Sequence, residues 1–176
     1  MSECPYKNFK YKINEYIKIL RKPREEYGGF PPCPFVGKEV DTNKLMIELF
    51  DPSKHTILQM VKKLEESNYD SALLVQVSQE DLSKQDTYNY ESFINKLLKK
   101  NGYGNLKCIC FNPNDTVNID GFNARSHCPY FLINIADRSV LSRAHKSLLK
   151  TKYFDRMNKE YLDYLYVKEK KSTEKK

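Results

Sequence analysis

The chain has 176 residues, 30 Lys and Arg against 23 Asp and Glu for a net charge of +7, and 40% hydrophobic residues. One globular domain over residues 1–167 is expected, and an apolar content that includes 9 Phe and 13 Tyr excludes collagenous, coiled-coil and wholly disordered chains. No apolar run approaches the ~20 residues that span a bilayer and no signal-peptide core is seen, so a soluble cytoplasmic protein with no membrane partner is expected.

The pattern predicts the following elements in chain order. Phe9, Ile13, Tyr16, Ile17 and Leu20 recur at helical spacing. Glycines and prolines from Tyr27 to Phe35 then impose a constrained loop. Lys44–Phe50 reads as a short strand, and Asp51-Pro52-Ser53 as the opening of a helix that turns Ile57, Met60, Val61 and Leu64 inward. Ser71–Val77 has the length and composition of a buried strand. Tyr90, Phe93, Ile94, Leu97 and Leu98 trace a third helical stripe, closed by Asn101-Gly102. Leu106–Phe111 is a strand, Asn112–Asp115 a polar turn, and Tyr130–Ile135 another strand. Asp137 can cap a helix carrying Val140, Leu141, Ala144 and Leu148. A last helix around Met157, Tyr161, Tyr164 and Leu165 leads into a basic, disordered tail at residues 168–176. This succession predicts an α+β or α/β fold, an open sheet of about four strands covered by helices. The arrangement expected is ferredoxin-like, with extra helices at both ends.

Charge and cysteine usage narrow the chemistry. Residues 1–30 carry net +3 and residues 145–176 net +5, which leaves 31–144 at −1. A nucleic-acid reader carries its basic stripe across a folded face, so a nucleic-acid partner is not expected. The five cysteines (Cys4, Cys33, Cys108, Cys110 and Cys128) are odd in number and irregularly spaced, against a disulfide framework. With no Cys-x-x-Cys pair, no metal site is read. Cys108 and Cys110 share one face of a strand and read as core thiols. His55 and His145 read as exposed or packed residues. No Gly-rich phosphate loop, His-Glu-x-x-His or nucleophile elbow occurs, so no cofactor is expected.

Two loops carry candidate chemistry. Prolines fix the backbone on both sides of Cys33, which either presents its thiol at a defined place or plugs a seam between Phe30 and Phe35. The segment from Asn123 to Tyr130 supplies Arg125, Ser126, His127 and Cys128 in succession. A guanidinium and a hydroxyl suit a phosphate or carboxylate, and an imidazole suits proton transfer near neutral pH. On an extended segment Arg125 and His127 would share one side, Ser126 and Cys128 the other. The alternative is that Arg125 pairs with an acid and Cys128 enters the core.

Cys33-Pro34-Phe35, Ala72–Ser78, Tyr88-Asn89-Tyr90-Glu91-Ser92-Phe93, Phe111-Asn112-Pro113, Arg125-Ser126 and Pro129-Tyr130 together resemble the bacterial family called domain of unknown function 1415, over roughly residues 10–150. Asn112 stands where that family carries His before Pro, and His127-Cys128 interrupts its Arg-Ser-Pro-Tyr run. The resemblance implies a site at these loops without naming its reaction.

The reading that follows is a pocket for a small anionic molecule, with Asn112, Asn123, Arg125 and Ser126 binding it. Cys33 or His127 would be the reactive group of a thiol- or His-dependent enzyme. The rival is a non-catalytic protein-interaction module that uses Tyr153, Tyr161, Tyr164, Tyr166 and the basic tail.

Overall fold

A computed structural model describes residues 7–77, 82–116, 119–159 and 162. Four strands, β1 (Leu45–Phe50), β2 (Ser71–Gln76), β3 (Leu106–Phe111) and β4 (Leu132–Asp137), form one open sheet in the order β1-β2-β4-β3. β1 and β2 run parallel, joined by α3 (Ile57–Glu65), and β4 is antiparallel to both β2 and β3. The mixed fold with a helix-covered sheet matches expectation. The ferredoxin-like arrangement is corrected: its β-α-β-β-α-β order is replaced by β-α-β-α-β-β. β1 and β2 are direct neighbours, and β4 inserts between β2 and β3.

Alternation along the strands builds two cores. Met46, Phe50, Ala72, Leu74, Cys108, Cys110, Ile133 and Ile135 face α3 and α4 (Lys84–Lys100). Leu45, Leu73, Val75 and Leu132 face α1 (Phe9–Arg21), with Tyr27, Phe122, Cys128, Tyr130 and Tyr153 beside them. β2 is covered on both faces, hence its unbroken apolar run. α2 (Val36–Asp41) is a short helix that the proline-rich stretch concealed, and α5 (Arg138–Leu148) follows β4 directly.

Three local readings change. Asp51 makes a turn with Ser53, and α3 begins later, at Thr56, in a reciprocal capping box with Gln59. Val140 is exposed, while Ala144 and Leu148 of the expected α5 stripe are buried. Phe93 is 59% exposed, whereas Thr87 and Glu91, both polar, are buried on α4.

The edge of the sheet explains that last exchange. A strand at the edge leaves half its backbone groups without a ladder partner. Asn95 supplies both to Cys108 on β3. Its Oδ1 accepts from the Cys108 N–H and its Nδ2 donates to the Cys108 carbonyl, each at 3.0 Å. The Glu91 carboxylate accepts from the Cys110 N–H at 3.0 Å. Polar residues of α4 therefore face inward because they complete the sheet. Cys4, Tyr161, Tyr164, Tyr166, the last helix beyond Lys159 and the basic tail lie outside the described residues, apart from Leu162.

Asn95→Ala strips two partnered backbone groups at once, so unfolding by denaturant should show a loss of about 2–3 kcal/mol. A loss below about 0.5 kcal/mol would mean that water seals this edge equally well.

Candidate functional site

The residues singled out around Asn112 and Arg125 meet at one end of the sheet, where β3 finishes and β4 begins. A side-chain network organises this end. Asn112 is buried, donates to the Leu82 carbonyl at 2.7 Å and to Thr87 Oγ1 at 2.8 Å, and accepts from the Asn114 N–H. Its carboxamide thus ties the β3 exit to the start of α4. The Asp115 N–H returns to the Asn112 carbonyl, and Asn123 Nδ2 donates to the Asp115 carbonyl.

At the centre, Arg125 Nη1 donates to Asp115 Oδ2 at 2.6 Å, with the two side chains 15% and 4% exposed. So little exposure leaves the pair weakly screened, and each charge would be costly without the other. Asn123 Oδ1 accepts from the Arg125 and Ser126 N–H groups, and Ser126 Oγ donates back to the Asn123 carbonyl. Those bonds wind Arg125–His127 into a 3-10 turn. The expected extended segment, with alternating sides, is therefore replaced by a turn. Ser126 and His127 are exposed, and Cys128 is buried.

His127 stacks on Phe122 with ring centroids 5.5 Å apart, and the Arg24 guanidinium lies 3.5 Å from the centroid of the same ring. Arg24 pairs with Glu26 at 2.9 Å, and Arg156 with Asp120 at 3.4 Å. Each of these three arginines has an acid beside it, so their charges are largely offset locally.

The thiols have the opposite character from nucleophiles. Burial pushes Cys128 up to about 12, although a hydrogen bond with the Tyr130 backbone and the Arg125 charge oppose the rise. Burial also raises Cys33, which is half-exposed as a residue and packs against the α1 core. Between these groups the Tyr16 hydroxyl is buried outside ordinary hydrogen-bond geometry. It is shifted upward by its own burial first, then by Cys128 and Cys33, with Arg125 acting in reverse. Cys33, Cys128 and Tyr16 belong to the core on the α1 side of the sheet. Tyr153, one of the expected interface tyrosines, is 7% exposed and donates to the Pro32 carbonyl at 2.6 Å. It belongs to the core because it clamps the proline-rich loop.

A cleft of about 530 Å³ opens at the other end of the sheet, where β1 and β2 begin, between Lys38, Lys44, Tyr69, Asp70, Asp137 and Arg143. None of the expected site residues lines it. Among the described residues no three His, Cys, Asp or Glu side chains gather as a metal ion would need, and no helix is long and apolar enough to cross a membrane.

Sequence reasoning missed Asp115, Phe122, Arg24 and Tyr16. Asp115 was visible as the last residue of the polar turn, but nothing in the spacing marked it as the acid that meets Arg125. No family model, curated protein or solved structure matches the chain.

Removing Asp115 should be severe: Asp115→Ala leaves a nearly buried cation and costs about 3–5 kcal/mol of stability. A double-mutant cycle with Asp115→Asn and Arg125→Met should return a coupling of about 1–3 kcal/mol, and additive losses would contradict the pair. The Cys128 shift also sets a pH dependence. Its folded value lies above the unfolded one of 9.0, so its contribution is complete below about 9 and is lost as pH rises toward about 12. Stability measured across that interval should fall less steeply in Cys128→Ala than in the parent chain.

Proposed function

We propose that this chain is a non-catalytic binding module whose partner is another protein, rather than an enzyme built on Cys33 or His127. One observation carries the non-catalytic part of the reading: Arg125, the cation best placed to hold a substrate, is engaged by the buried carboxylate of Asp115. The raised thiols support it, because the thiolate is the reactive species and a thiol held protonated is a poor nucleophile. His127 is stacked on Phe122 and exposed at the surface. A reducing, cytoplasmic setting fits the thiols of Cys33, Cys108, Cys110 and Cys128, which form no disulfide among the described residues.

A second reading, a site for a small anionic molecule, keeps one observation in its favour. Asn112, Asp115, Asn123 and Arg125 form one connected network near the end of the sheet at which the parallel strands finish, the end where open sheets of this kind bind ligands. An anion seated on Ser126 and His127 would compete with Asp115 for Arg125. The resemblance to domain of unknown function 1415 belongs to this reading, and its support is that the Phe111-Asn112-Pro113 and Arg125-Ser126 segments meet in the same network.

Alkylation by iodoacetamide at neutral pH separates enzyme from module. Cys33 and Cys128 should react at least about tenfold more slowly than free cysteine, following the thiolate fraction. Reaction faster than free cysteine at either position would favour the thiol enzyme. Millimolar phosphate or citrate should leave the melting temperature unchanged, whereas a saturable rise abolished by Arg125→Ala would favour the anion site.

A further inference from the structure

The two edges of the sheet are finished differently. β3 is sealed by Asn95 and Glu91 of α4. Among the described elements, β2 alone runs closely along β1. The Val77 N–H donates to the Phe50 carbonyl, which fixes the phase of the parallel ladder. Phe50, Glu48 and Met46 direct their backbone groups toward β2, so Leu45, Ile47 and Leu49 direct theirs outward. These outward groups are what an added strand would use.

The geometry points to a second copy of this chain as the occupant, joined antiparallel through β1 so that two four-stranded sheets become one. The β1 sequence selects this partner and its register. Lys44, Met46 and Glu48 share one face by the two-residue period. With a two-fold axis at Met46, Met46 lies opposite Met46 and Lys44 opposite Glu48 of the second copy, beside the ion pairs these two already make within the chain with Asp70 at 3.7 Å and Lys63 at 3.2 Å. On the other face, Leu45 lies opposite the half-buried Ile47. Leu45–Ile47 and Met46–Met46 are then apolar with apolar and Lys44–Glu48 is cation with anion, the combinations that stabilise antiparallel neighbours, while Leu49 and Phe50 run past the pairing toward Asn43 and Thr42. The register with its axis at Glu48 would set two carboxylates against each other, and the one with its axis at Ile47 would set Glu48 against Met46. The isologous pairing closes on itself and ends as a dimer, not a filament. It goes beyond the proposed function, since neither the thiols nor Arg125 takes part.

Sedimentation or light scattering of the full chain over the micromolar range tests this directly. A two-chain mass is expected. Glu48→Lys, which sets cation against cation twice, should raise the dimer dissociation constant by about tenfold or more. Lys44→Glu combined with Glu48→Lys should restore it. Ile47→Pro removes an outward N–H while sparing the β2 ladder, and should yield folded monomer by circular dichroism. A one-chain mass throughout, a dimer indifferent to Glu48→Lys and Ile47→Pro, or a chain that takes an extended peptide at β1 in preference to itself would each overturn the inference.

Discussion

A guanidinium and a carboxylate removed from water must answer each other, and the Arg125–Asp115 pair is where this chain meets that demand. The path from β3 to β4 has little regular structure, yet its described parts cover the open end of the sheet. Loop backbone placed there needs partners of its own. Asp115 provides a carboxylate for Arg125 and a carbonyl for Asn123, while Asn112 fastens the same stretch to α4. The turn at Arg125–His127, the burial of Cys128 and the exposure of His127 all follow from that anchoring. Asn112, Asp115, Asn123 and Arg125 are bonded to one another, and together they hold down a long connection.

The same economy governs the sheet. Two apolar faces need helices, and two edges need hydrogen-bond partners. α4 meets both requirements at β3, with Ile94 and Leu98 packing on the face while Glu91 and Asn95 complete the edge. That double duty explains how one helix buries a carboxyl and exposes a phenylalanine. β1 has no counterpart of α4 among the described elements, and its strand reads as complementary to its own antiparallel copy.

The fold was legible to the extent that local patterns determine it. The β2 run, the Cys108–Cys110 alternation and the Asp137 cap of α5 each depend on neighbours in sequence, and each is found where its pattern places it. Failures arose where a distant partner decides. Phe93 continues an apolar stripe that hydropathy favours, but the needs of β3 rotated α4 away from it. Thr56 outcompeted Asp51 as a helix cap because Gln59 reciprocates its bond. The strand order depends on the insertion of β4 between β2 and β3, which no local pattern announces. At the site, residue types were legible and their pairing was not. Arg125 had several acids within reach of a flexible chain, and only folding brings Asp115 rather than Glu26 or Asp120 to it.

The claim at the centre is that Arg125 is held by Asp115 and is not open to an external anion. Nitrogen-detected NMR of the arginine side chains reads this most directly. The account predicts a distinct Arg125 resonance with slowed guanidinium rotation that does not move as inorganic phosphate is added. A resonance that rotates freely and shifts saturably with phosphate would contradict it.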